Sequence, residues 1–378
     1  MMFLPPEIID DVLSQLYADY RTLFQCCLVS RKWLPAGRHI IFETLRGQLT
    51  SDNCSQLLEI LSSPLTTLPI YLRHLIIVGE GTYSAPLPTR HHQRFEYVLN
   101  RLSSLRGVYS LTFKNLRWET LSFATQSSLI RTFRYIKELS LQNFSCLSAT
   151  VMFTMICNFT SLSRLSSDGV ELQEPGSICG PPCASPPQIT AIRLIDLVPW
   201  SMQSTIAFLR WIGPSLEHLV FCGHTYAPQS LSLGGYPEID NNHRLRSIHI
   251  GNYNLIPFSP IVRPITLILS GVGRNHTQLT KIVLELRITE SQISACSGWQ
   301  DVDNLLRQPQ FSRLRMVEVM LSFFRRPGVP DQGVSASVYQ AREALRNCLP
   351  SCFERGILRL RLCIFLTSSP IVVAACQV

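Results

Sequence analysis

Thirteen cysteines and nine histidines are the side chains of this sequence best suited to chemistry, and their spacing decides what that chemistry is. Cys179-x-x-x-Cys183 and Cys348-x-x-x-Cys352 each have a spacing that two ligands of a zinc ion can adopt. A four-thiolate site needs both pairs in one place. The first pair lies in a proline-rich stretch and the second in an amphipathic one with Leu345 and Leu349, so free thiols and no metal are expected. His91-His92 stands in a polar stretch ahead of an apolar helical pattern, where solvent-facing imidazoles are the expectation. Gly271-x-Gly273 lacks the third glycine of a dinucleotide fingerprint. No Walker loop and no Gly-x-Ser-x-Gly elbow occurs. The sequence thus predicts no catalytic residues and no cofactor.

Composition narrows the classes further. With 46% apolar and 16% charged residues, 378 residues supply a large core and exclude a disordered chain. The net charge of +8 is unevenly placed: ten arginines face four acids between Arg307 and Arg361. No dense basic run is present, so the excess reads as a solvated face, and nucleic acid is not expected as a partner. The first residues, Met1 to Glu7, lack the basic and apolar regions of a secretion signal, and no apolar run reaches the roughly 18 residues of a membrane span. These readings predict a reducing compartment, cytoplasmic or nuclear, and no membrane partner.

The elements that must position any site announce themselves by repetition. The pattern apolar-x-x-apolar-x-apolar begins at Leu72, Val108, Ile136, Leu162, Ile189, Leu216, Leu245, Leu279, Leu314 and Ile357. From Val108 to Leu245 the five intervals run from 26 to 29 residues, within the leucine-rich-repeat range of roughly 20–29. The fourth and sixth positions share one face of a strand, and stacked units bury that face in a continuous core. Helical stripes follow, such as Phe95, Val98, Leu99 and Leu102, then Val151, Met155, Ile156 and Phe159, then Val302, Leu305 and Leu306. The ninth repeat position, usually Asn or Cys, here holds Leu116, Phe144, Val170, Leu197 and Tyr253, while Asn115 and Asn143 sit one place earlier. Residues 175–187, 224–243 and 324–337 break the rhythm and read as loops.

The first 45 residues follow a different rule. Leu4-Pro5-Pro6-Glu7 is a favourable helix start, and Ile8, Ile9, Val12, Leu13 and Leu16 continue at helical spacing. Leu23, Phe24, Cys27 and Leu28 form a second apolar set, followed by Val29-Ser30-Arg31-Lys32-Trp33 and by Ile40, Ile41 and Phe42. Helices this short cannot bury enough apolar surface to stand alone, since domains below about 40–60 residues are marginal.

Leu4-Pro5-x-Glu7-Ile8 and Leu28-Val29-Ser30-Arg31-x-Trp33, at this separation, resemble the F-box family. The likeness covers about an eighth of the chain. Thr22 stands where the family often has Asp, and Pro35 points to a break or a fresh helix start just after Trp33. The resemblance implies a Skp-type adaptor and, through it, the cullin of a ubiquitin ligase as partners. It assigns adaptor docking to Leu4, Pro5, Ile8, Ile9, Val12, Leu28, Val29 and Trp33.

The fold expected is therefore α/β. A three-helix F-box (1–45) and a helical linker or cap (46–70) precede an irregular, right-handed leucine-rich-repeat solenoid (71–378), with parallel strands on the concave face and helices on the convex one. The chain reads as a substrate receptor, not an enzyme, whose repeats bind an unknown target protein. The concave strand positions are His74, Thr112, Glu138, Ser140, Arg164, Arg193, His218, His249, Lys281, Glu318, Arg359 and Arg361. Their basic bias toward the C-terminal end suits an acidic target segment. Two other readings stay open: a repeat scaffold uncoupled from ubiquitination, with the leading helices as a cap, and an α/β enzyme built as a barrel or doubly wound sheet.

Overall fold

A computed structural model describes residues 5–16, 19–44, 46–50, 54–63, 72–79, 89–105, 107–174, 186–195, 207–222, 239–254, 262–288, 298–325, 342–366 and 369–377. They belong to two compact units: Met1–Leu147 with Thr154–Leu162, and Ser148–Phe153 with Ser163–Val378.

Three helices open the first unit. Helix α1 (Pro6–Gln15) starts on a proline, which loses no hydrogen bond there, with Glu7 in the electropositive first turn. Helix α2 (Tyr20–Val29) is capped by Asp19, whose carboxylate accepts from the Thr22 amide at 3.1 Å and the Thr22 hydroxyl at 2.7 Å. Helix α3 (Leu34–Thr44) begins one residue before Pro35, so the proline marks a helix start as expected. Ile9, Leu13, Leu23 and Ile41 form a small core of their own, with Leu16, Cys27, Trp33 and Ile40 packed around it.

The strands of the first unit follow in chain order: β1 (Arg46–Leu49), β2 (His74–Val78), β3 (Ser110–Lys114) and β4 (Glu138–Gln142), each parallel to the next. The segment 46–70, expected to be a helical linker, therefore opens on a strand. Its Leu49 is fully buried, and a helix follows at Cys54–Ser62. Arg46-Gly47-Gln48-Leu49 is too short and polar to show an alternating pattern, and pairing with β2 supplies the order. Short strands β5 (Ser145–Ser148), in the first unit but for its last residue, and β7 (Glu171–Glu174), in the second, were also not legible in the repeat pattern.

The second unit runs β6 (Arg164–Asp168), β8 (Ala191–Ile195), β9 (His218–Cys222), β10 (Ser247–Asn254), β11 (Lys281–Ile288), β12 (Met316–Arg325) and β13 (Leu358–Leu366), again in chain order and parallel. The apolar tail, which the sequence left without a place, forms β14 (Ser369–Gln377), antiparallel on β13. Its greasy composition suits pairing at the end of a sheet.

Two local devices recur. Before most strands a turn is closed from the first pattern residue back to the residue three earlier, as in Ile136 N to Phe133 O, Leu162 N to Phe159 O, Leu245 N to Asn242 O and Leu314 N to Phe311 O. One carbonyl then accepts two successive amides of the next strand and sets the register: Tyr109 O from Lys137 and Glu138, Thr190 O from Glu217 and His218, Thr280 O from Arg315 and Met316. The pattern's apolar positions face inward: Leu75, Ile77, Leu111, Phe113, Leu139, Leu141, Leu219, Phe221, Ile248, Ile250, Ile282 and Leu284 are buried, while the residues between them are mostly half-exposed. Helices cover that core through Phe95, Val98 and Leu99 in Thr89–Arg101 and through Val302 and Leu306 in Trp299–Leu306. Each fully buried Leu or Phe contributes about 1.5–3 kcal/mol.

Candidate functional site

Helices α1 and α2 carry the first candidate surface. A helix of ten residues can turn only one stripe inward, and here Ile9 and Leu13 fill that stripe in α1 and Leu23 in α2. Apolar side chains beside those stripes are left in water: Ile8 at 44%, Val12 at 43%, Phe24 at 52%, Leu28 at 87% and Val29 at 81% exposure. Five large apolar groups on two short helices have no local role that this burial explains, and such grouping marks an interaction site. Of the residues assigned to docking, Ile8, Val12, Leu28 and Val29 belong to this strip and Pro5 is exposed. Ile9 is buried at 6% exposure and Trp33 is half-buried against the same core, so these two hold the helices together. Leu4 lies outside the described residues. Phe24 joins the strip without having been assigned to it. Its place in the second apolar set was the available signal, and only the direction of its side chain was missing.

The strand face carries the second. In the first unit the register aligns His74, Ser110 and Glu138 in one row and Ile76, Thr112 and Ser140 in the next. His74 meets the Tyr109 ring edge-on at 6.4 Å. In the second unit one row is Arg164, Ala191, His218, Ser247, Lys281 and Met316, and its neighbour is Ser166, Arg193, Val220, His249, Val283, Glu318 and Arg359. The expected target-facing residues of this unit therefore share one face. Arg164, Arg193, His218 and Arg359 are exposed, and His249 and Lys281 half-exposed.

Charges on this face pair selectively. Glu318 is 7% exposed, because Lys281 Nζ at 3.2 Å and Arg361 Nε at 3.2 Å close over its two carboxylate oxygens. Glu318 keeps its place on the strand face, covered there by two flanking cations. His249 Nε2 lies 3.3 Å from Glu285 Oε2, off the direction of a hydrogen bond. His218 Nδ1 is 2.8 Å from Ser247 Oγ. At the strand entrances Glu217 takes Arg244 at 2.8 Å and Arg246 at 3.4 Å.

The residues that spacing singled out for chemistry are not brought together. Cys179 and Cys183 lie outside the described residues. Cys352 is buried, and burial, with Asp303 close by, pushes its thiol up to about 11. Among the described residues no three metal-ligating side chains converge. His91 and His92 fall within the helix Thr89–Arg101, a correction to the expected loop. Thr89 and Arg90 precede them at its start, and apolar packing of Phe95 and Val98 draws the polar turn into the helix. Gly273 closes a turn, its carbonyl accepting the His276 amide at 3.1 Å. Among the described residues no helix is long and apolar enough to cross a membrane.

No family model matches the chain, and no characterised protein matches it in sequence. The geometry of these two surfaces is accordingly what a functional reading has to rest on.

Proposed function

We propose that this chain is an F-box protein whose leading helices dock a Skp-type adaptor, and through it a cullin, while a leucine-rich-repeat solenoid holds a target protein for ubiquitination. The single observation that carries the reading is the apolar strip of Ile8, Val12, Phe24, Leu28 and Val29, left in water by helices whose own core is already filled. Leu28 and Val29 end α2, beside Ser30, Arg31 and Trp33 of the motif that carries the resemblance. Parallel strands in chain order at repeat spacing support the solenoid.

The mechanism is tethering. Holding a target beside a ubiquitin-charged enzyme raises the effective concentration of its lysines, and bond-making belongs to other subunits. The receptor itself then needs no nucleophile.

The test is affinity capture of the full chain and of a Leu28→Asp, Val29→Asp variant. Both positions are exposed, so the variant keeps its fold. Adaptor and cullin are expected with the unaltered chain and absent from the variant. Their absence from both sinks the ligase reading, and equal capture by both shows that the strip is not the docking surface.

A further inference from the structure

The strand face of the second unit is not uniform, and one part of it is unbalanced. Around Glu318 stand three cations: Lys281 and Arg361, each 3.2 Å from its carboxylate, and Arg359, its register partner on the neighbouring strand. One carboxylate cannot neutralise three cations. Arg359 is exposed and has no ion pair among the described residues. Lys281 and Arg361 keep side-chain exposures of 39% and 43%, so their outer edges also face water. Glu318 fixes the two long side chains in place, which lowers the ordering cost of binding an anion above them.

We propose that this face over β11–β13 binds an extended peptide segment of the target that carries acidic side chains beside apolar ones, with Arg359 as the direct charge contact. The proposal rests on the reading of the strand face as the target-holding surface and names what it holds. Met316 and Met320 flank Glu318 on β12, half-exposed and on the same face, and offer adaptable apolar contacts between the charges. A nucleic acid fits less well. Glu285 on β11 would oppose a continuous phosphate backbone, and methionines stand where stacking aromatics would serve bases.

Fluorescence anisotropy on the purified full chain tests this with three dye-labelled probes: a short peptide alternating glutamate and leucine, its lysine–leucine counterpart, and a single-stranded oligodeoxynucleotide. The glutamate peptide is expected to bind, to weaken with salt, and to lose about tenfold in affinity in Arg359→Glu, with a smaller loss in Arg359→Gln. Arg274→Glu is the control: it is exposed in the turn that precedes β11, outside the strand rows, and is expected to leave binding unchanged. Unaltered binding in both Arg359 variants overturns the proposal, as does no binding of the glutamate peptide or tighter binding of the oligonucleotide. Adaptor capture is read separately in the same variants. Its failure strikes the ligase reading, and its persistence beside lost peptide binding isolates the strand face.

Discussion

Asp303 shows how one side chain can tie distant segments together. It is buried at 2% exposure, yet its carboxylate accepts from the Ser351 amide at 3.1 Å, the Ser351 hydroxyl at 2.5 Å and Arg307 Nε at 3.0 Å. The charge is tolerated because both carboxylate oxygens have donors and one of these donors is a guanidinium. Asp303→Ala leaves those donors unsatisfied and is expected to cost about 2–4 kcal/mol, measured by urea unfolding. Cys352 lies beside it. With its thiol pushed up to about 11, the thiolate is scarce at neutral pH, so alkylation is expected only after unfolding, read by mass spectrometry of native and denatured protein. Gly79 is needed for a different reason. A Cβ there would collide with the Asn115 carbonyl oxygen and stand 2.8 Å from Leu116 Cα, so Gly79→Ala is expected to destabilise by about 1–3 kcal/mol. Asn115 and Asn143 adopt the left-handed conformation that asparagine tolerates, and Asn143 Nδ2 donates to Asn115 Oδ1 at 3.1 Å. Their offset from the repeat's usual asparagine is thus a turn position of its own.

Among the elements, α2 depends most visibly on its cap. Thr22 stands where the F-box pattern often has an acid, while Asp19, three residues earlier, caps the helix and bonds Thr22 twice. Those hydrogen bonds from Thr22 hold the Asp19 carboxyl below its ordinary value. A lowered folded-state value means the cap stabilises above the ordinary carboxyl range and is lost as pH falls through the lowered value. Asp19→Ala is therefore expected to reduce the stability of the leading helices at neutral pH, and the difference should vanish in acid, as followed by circular dichroism at both pH values. The same helix ends in Leu28 and Val29, so the cap also positions these two exposed apolar side chains.

At the scale of the whole molecule, the second unit ends its sheet with β14, the one antiparallel strand on that sheet among the described residues. Removing residues 367–378 would expose the outer hydrogen-bonding edge of β13, whose sequence Leu358–Leu366 is largely apolar. Unpaired apolar edges pair with other chains, so the truncated protein is expected to self-associate, measured by light scattering against the full chain. Charge is distributed on the same scale: the +8 excess reaches the strand face as Arg359, Arg361 and Lys281 around Glu318, where a net positive field can steer an acidic partner.

The sequence by itself determined the strands, because a leucine-type pattern at near-constant spacing leaves one alternating face to bury, and that periodicity is local. It likewise determined the leading helices through Pro6, Glu7 and the i, i+4 pair of Ile9 and Leu13. The strands β1 and β14 escaped it, since polar Arg46–Leu49 and the greasy tail become strands only by pairing with a neighbouring strand. Which apolar residues of α1 and α2 face water was also a tertiary decision. Ile8 and Ile9 are chemically identical neighbours, and only packing with α2 and α3 buries one and leaves the other exposed. The Glu318 cluster was settled in the same way, because its three cations come from strands whose register no local pattern encodes.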